Sequence, residues 1–399
     1  MTSSSSLFQS SLKLPCGAIL KNRLAKSAMS DSLGDGEGNP TEAQINLYKK
    51  WAKGGAAISF IGEVQGDPRY PEAPGNLLLH DNSNYSSLQL LTQQSTIDNS
   101  HLWAQIGHGG ALSYLPISHP KGPSALDLKN LKCEAMSKAD IQALPSLYAK
   151  TALYAKKAGF SGVHIHAGHG FLLSQFLSPL FNKRTDQYGG SIQNRSQIIL
   201  DIINEVRAKV GKDFPIGIRI NATDQLEGGL TEQESLSVIA QLNDTSLDLI
   251  DISGGTYFPG AKSSSENTVK GAYFFNFAKQ AKQITNIPLM LTGGIKTKEE
   301  ALSILSSGAA DLIGLARVMA LEPSLPNYWL SGVDMNPEFP LFDSRPAGGI
   351  TAWYTMRLKA LSENKEDTFN MNLESAIRLY EERDKIRTLK WKKHFGLNS

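Results

Sequence analysis

A chain of 399 residues, 41% hydrophobic and 20% charged, is long enough to bury a sizeable core in one large domain. Its formal charge of +2 is made of interspersed residues, so nothing in it asks for nucleic acid or a membrane surface, and two cysteines, Cys16 and Cys133, cannot build a disulfide scaffold, a zinc site or an iron–sulfur cluster. The opening MTSSSSLFQSSLKLP lacks a basic n-region and an apolar h-region, and no apolar run approaches the roughly 20 residues that span a bilayer, so an unprocessed cytoplasmic protein is expected.

In chain order, eight short apolar runs alternate with helical patterns: 23–28, 56–64, 102–106, 162–166, 216–220, 247–252, 289–292 and 311–315. Eight such units predict a (β/α)8 TIM barrel, about residues 20–322, within a single domain covering 1–399. A doubly wound sheet would carry a glycine fingerprint after its first strand, and AKSAMSD has none. Between the third strand and its helix, Gly109 to Met136 is too long for an ordinary connection and reads as a lid-like insertion. The next helix opens on Ser137 with Asp140 three positions on, and Pro145 is a candidate kink. From about 323 to 399 a Pro/Asn/Gly-rich crossing leads into a C-terminal helical extension, whose RDKIRTLKWKK (Arg383 to Lys393) reads as a solvated basic face; Trp353, Tyr354 and Trp391 are assigned to interior packing.

The fourth strand carries the strongest local signal: its apolar run ends in His166 and His169, then passes into a Gly/Asn/Asp/Arg-rich loop before the helical run from Ile192. A barrel offers active-site groups at such strand ends. Zinc is a poor reading of the pair, because no third His or Cys stands at ligand spacing and HAGH lacks the helix of HExxH; no metal site is expected. At the seventh and eighth strand ends, Gly293, Gly294, Ala316 and Arg317 form a candidate phosphate site.

The segment HIHAGHGFLLSQFLSPLFNKRTDQYGGS, with KNRLAKSAMSD before it and LIGLARVMALEP after it, resembles the Old Yellow Enzyme family of FMN-dependent ene-reductases. The resemblance implies non-covalent FMN over the barrel mouth, touched by Ser27, Ala28, Met29, Ser30, Gly62, Gln105 and Arg219, with the phosphate at Gly293, Gly294, Ala316 and Arg317. It also implies a homodimer. The implied activity is hydride transfer from NADPH or NADH, by way of flavin N5, to the β-carbon of an electron-poor alkene, an α,β-unsaturated carbonyl or nitro compound. His166 and His169 would donate to the activating oxygen, where charge develops. A structural Arg219 paired to Asp224 or Asp251 is compatible with that role.

Two departures change the expectation. Where the family has a proton-donating tyrosine, this chain has Phe171, which has no proton to give; Tyr114 and Tyr257 are the candidate replacements. A flavin-dependent double-bond isomerase or a desaturating dehydrogenase is therefore the alternative activity, and a non-catalytic flavin or ligand sensor a further one. Near the first strand, Ser30 stands where the family has a flavin-tuning Cys or Thr, and Ser32 where it has a substrate-facing Tyr. Ala111 replaces a common basic residue after Gln105, and His108 reads as a loop residue.

Overall fold

The computed structural model describes residues 4–128, 131–258, 261, 271–343 and 345–397. Eight parallel strands, β1 (Leu24–Met29), β2 (Ile58–Gln65), β3 (His101–Gly107), β4 (Gly162–Ala167), β5 (Ile216–Asn221), β6 (Leu249–Ser253), β7 (Leu289–Thr292) and β8 (Leu312–Leu315), pair in sequence order, and β8 closes on β1. This is the expected (β/α)8 barrel, with every strand within two residues of its predicted bounds. Strands buried on both faces read as near-continuous apolar runs, and every residue of β4, β5 and β6 is buried.

Seven helices follow the first seven strands: α1 (Glu42–Lys53), α2 (Tyr85–Ser95), α3 (Lys138–Lys157), α4 (Ile192–Val210), α5 (Glu232–Leu242), α6 (Phe275–Ile284) and α7 (Lys298–Ser306). Ser137 and Asp140 form a reciprocal capping box on α3, as Thr231/Glu234 and Thr297/Glu300 do on α5 and α7, each satisfying two otherwise unpaired N–H groups. Helix α3 runs its full 20 residues through Pro145.

The lower barrel is filled by Trp103 and Phe60, whose rings meet edge to face at 5.6 Å. Trp103 occupies the space above Gly162 and Gly217: a Cβ on Gly162 would fall 2.5 Å from its indole. Residues Leu12, Leu14 and Leu20 of an N-terminal hairpin close the bottom against the same cluster. With that end plugged, the barrel's cavity, among the described residues, lies at the carboxyl ends of the strands.

The insertion of 109–136, of which Lys129 and Asn130 lie outside the described residues, forms a small three-stranded piece. It packs through Ala111 and Cys133 on Phe181, and Ala111 N–H donates to Gln175. Among the described residues none of it lines the cavity, so it stands beside the mouth rather than over it.

In the C-terminal part, α8 (Gly349–Ser362) packs on α1, and α9 (Leu373–His394) packs on α8. Trp391 is fully buried and donates to Pro68 O at 2.8 Å, while Trp353 donates to Met371 O at 2.9 Å, so both indoles serve interior packing. The solvated-face reading of Arg383 to Lys393 needs correction. The Lys side of α9 is exposed, but Arg383 and Arg387 turn inward beside Asp384, and Arg387 donates to Ser32 O at 2.7 Å. No helix among the described residues is long and apolar enough to cross a membrane.

Candidate active site

Above the apolar plug the barrel interior turns polar. Arg219 on β5 donates from Nε to Asp251 on β6 at 2.6 Å and from its Nη atoms to Ser27 Oγ and Ala28 O on β1. Asp251 also accepts from Thr292 on β7 at 2.7 Å, and Gln105 on β3 lies 2.9 Å from His164 Nδ1 on β4. Of the two carboxylates offered by the sequence, Asp251 is the partner of Arg219; Asp224 instead accepts from Asn221 and from Leu230 N–H. The guanidinium is thus buried, paired, and still part of the cavity lining.

His166 is 5% exposed, and its Nδ1 accepts the Gly168 N–H at 3.4 Å, which assigns the ring proton to Nε2. His169 has φ +59, a strained conformation outside glycine, held because its N–H donates to Asn221 Oδ1 at 3.0 Å and its C=O accepts Tyr257 N–H at 3.1 Å. Gly170 follows necessarily as glycine: it has φ +83, and a Cβ there would fall 2.1 Å from Thr256 Oγ1. His169 Nε2 lies 3.0 Å from Ser253 Oγ, and among the described residues Nδ1 has no partner. The two rings stand 5.3 Å apart and nearly perpendicular. Burial, then the charge of Arg219, lowers His169 to about 3; burial, His169 and Arg219 hold His166 well below the usual imidazole range. Both rings are neutral at pH 7.

One cavity gathers most of the predicted residues. Ala28, Met29, Ser30, Gly62 and Gln105 line it with His166, His169, Phe171, Arg219 and Tyr257, and its far end holds Gly293, Gly294, Ala316 and Arg317. Phe171 is buried 5.2 Å from His166 and 5.8 Å from Tyr257, ring to ring. Tyr257 stands 63% exposed in the mouth.

Three expectations are corrected. Ser27 is buried behind the lining with its hydroxyl bonded to Arg219. Ser32 is 2% exposed, at φ +48 against Gly75 and Arg387, and is no part of the cavity. Ser30 lines it as expected of its position, and its O–H donates to Glu63 Oε2 at 2.6 Å. Tyr114 packs with Leu78, Ile117 and Trp391 away from the cavity, which leaves Tyr257. His108 is structural, stacked on Tyr70 at 4.6 Å with Nδ1 accepting Gly110 N–H.

Sequence reasoning missed Glu63 and Glu72, which line the same cavity. The register of β2 against β3 slips between Ile61 and Val64, where Glu63 has φ +66. Such bulges re-aim side chains beside functional sites. A carboxylate inside the apolar run FIGEVQ was the available signal; Glu72, in a Pro/Gly-rich loop, offered none.

The residues fit a flavin mononucleotide. At one end the Arg317 guanidinium has no carboxylate partner among the described residues and is flanked by Tyr354 and Phe339 at 5.8 and 6.0 Å. Gly293 and Gly294 beside it have φ +118 and +80, and a Cβ on Gly294 would fall 2.1 Å from Gly271 O. Thr351, in the first turn of α8, lines the same end. An unpaired cation, glycine amides and a helix start suit a phosphate dianion. At the other end Arg219 and Gln105 offer polar contacts to a flat ring system. Among the described residues no group of three or more His, Cys, Asp or Glu is placed to hold a metal ion.

Comparison with known proteins agrees with this geometry. The model of the NADH:flavin oxidoreductase / NADH oxidase family matches residues 12–336. A protein named NADH-dependent flavin oxidoreductase iliE from Hypocrea jecorina is 31% identical over 348 residues, 79% of this chain and 86% of that one. Its namesake from Neonectria sp. is 31% identical over 359 residues, 79% of this chain, which spans only 46% of the Neonectria protein's length. In architecture, the Old Yellow Enzyme homologue from Zymomonas mobilis superposes with a TM-score of 0.72 at 22% identity, over 87% of this chain and 98% of that one.

Proposed function

Because the chain belongs to the NADH:flavin oxidoreductase / NADH oxidase family, the Old Yellow Enzyme type of FMN-containing, NAD(P)H-dependent oxidoreductase, we propose that it reduces the carbon–carbon double bond of an electron-poor alkene, an α,β-unsaturated carbonyl or nitro compound. The observation that carries this reading is the pair of neutral imidazoles, each with one ring nitrogen free of partners among the described residues, in the cavity that also holds Arg219.

When bound, FMN supplies the two-electron carrier between NAD(P)H and substrate. Its phosphate is assigned to Gly293, Gly294, Ala316 and Arg317, and its ring to Ala28, Met29, Ser30, Gly62, Gln105 and Arg219, with Ser27 acting through Arg219. A hydride arriving at the β-carbon pushes charge onto the substrate's oxygen. His166 Nε2–H and His169 Nδ1–H donate to that oxygen, an interaction that strengthens as the enolate forms. Neutral rings suit this task, since they stabilise developing charge by hydrogen bonding and stay fixed by Gly168, Ser253 and Asn221. Phe171 beside His166 and Tyr257 beside His169 form an aromatic wall next to the pair that bounds the substrate.

Phe171 favours one second reading, double-bond migration or desaturation, in which the enolate outlives a missing proton donor. Both are tested by reducing the purified holoenzyme anaerobically with NAD(P)H and adding an activated enone in deuterated water. Saturated product carrying deuterium at the α-carbon supports reduction; shifted or unsaturated product overturns it in favour of the second reading.

A further inference from the structure

Reduction of an enone needs a proton at the α-carbon, and the position that resembles the donor's holds Phe171. The cavity wall contains another acid. Glu63 and Glu72 line the same space as His166, His169, Phe171 and Tyr257, and their carboxyl groups hydrogen-bond one another. Glu63 already accepts from Ser30 O–H at 2.6 Å and from Asn76 Nδ2 at 2.7 Å, so it is furnished as the anionic member. Asn76 also accepts from Glu72 N–H at 3.0 Å, clamping the two segments together. Two carboxylates in contact in a buried wall cannot both ionise, and the pair keeps one proton.

The groups facing the pair reinforce this. Asp31, from the β1 side, adds negative charge and is itself held by Gln44, Tyr48 and Leu33 N–H. Tyr257 and Tyr380 approach from the β6 loop and α9 and bring no positive charge. Glu63 is pushed up to about 7, first by burial, and Glu72 is held well above the usual carboxylate range, by burial and then by Glu63. An acid that is neutral at working pH beside an oxyanion site is a general acid in waiting.

We propose that Glu72, held by Glu63 and Asn76, delivers the α-proton in place of the tyrosine that Phe171 replaces. The inference rests on the alkene-reduction reading. In the step the Glu72 O–H bond breaks and a C–H bond forms at the α-carbon; the enolate's electron pair makes that bond as its oxygen returns to C=O. Glu72 is left as carboxylate and is reprotonated by water through the open mouth. Glu63 and Asn76 are positioning residues.

The test compares holoenzyme variants, reduced anaerobically by NAD(P)H and mixed with 2-cyclohexenone in deuterated water, and reads the rate of α-deuteration relative to flavin reduction in the same variant. In Glu72→Gln this ratio is expected to fall about 10²–10⁴-fold, the usual contribution of a positioned acid, and adding Phe171→Tyr to Glu72→Gln is expected to restore part of it. Glu72→Asp, which keeps the acid, should retain more than Glu72→Gln; it carries the test if the glutamine variant does not fold. An independent readout is the infrared absorption of a protonated carboxylic acid at pH 7, expected in the wild type and lost in Glu72→Gln. An undiminished ratio in Glu72→Gln, or an absent infrared band, overturns the donor assignment alone. A wild-type protein that accepts electrons but leaves the enone unreduced overturns the alkene-reduction reading, and this inference with it.

Discussion

His169 Nε2 lies 3.0 Å from Ser253 Oγ, joining the loop after β4 to the end of β6 and fixing which nitrogen of a strained residue faces the cavity. Ser253→Ala removes that lock while leaving the imidazole. Losing a hydrogen bond worth about 1 kcal/mol predicts roughly fivefold weaker binding of a phenolic ligand, read by titrating the flavin absorbance. Unchanged affinity would show that the αL backbone alone orients the ring.

Histidine neutrality sets a pH dependence with a definite sign. His169 has a native value of about 3, against an unfolded value near 6.5. Below pH 6.5 the unfolded chain therefore binds a proton that the native state refuses, so stability falls as pH drops from about 6.5 toward 3. For this residue alone the loss is about 2 kcal/mol by pH 5. Glu63, raised to about 7, has the opposite slope, its stabilisation being lost as pH rises toward 7. The difference in unfolding free energy between wild type and His169→Asn, measured at pH 7 and pH 5, isolates the histidine; the variant should gain relative stability at pH 5.

Arg219 and Asp251 are both almost completely buried, and each is the other's charge partner. Arg219→Leu leaves a carboxylate unpaired in the barrel and should cost about 3–5 kcal/mol in denaturant unfolding. The Arg219→Leu/Asp251→Leu double variant should cost less than the sum of the singles, because neither charge is then orphaned. Additive costs would refute the pairing.

Arg317→Ala tests the phosphate end. A charge-assisted hydrogen bond contributes about 1.5–3 kcal/mol, so FMN affinity should fall roughly 10–100-fold, whereas riboflavin, which lacks the phosphate, should bind the variant as it binds wild type. Equal losses for both ligands would move the phosphate elsewhere.

Phe171→Tyr alone, with Glu72 intact, should leave the α-deuteration rate nearly unchanged, because an acid is already in place. A large gain would mean that wild type lacks an effective donor, and would favour the double-bond migration reading.

Much of this was legible in the chain itself. The alternation of short apolar runs with helical patterns reports local periodicity, and the barrel followed from it strand by strand; His166, His169 and the glycines at 293 and 294 sit at strand ends because a parallel barrel exposes its carboxyl ends. What could not be read depended on register and on partners distant in sequence. Ser32 and Tyr114 are the right chemical types in nearby loops, yet backbone turns carry both away from the cavity. Glu63 reaches the cavity through a bulge in β2, a property of how β2 pairs with β3, and Glu72 becomes its partner only when Asn76 folds the intervening loop back. The fold and the imidazole pair are local and periodic, so the sequence alone determined them; the carboxyl pair is a matter of long-range pairing and burial, which exist only in the tertiary structure.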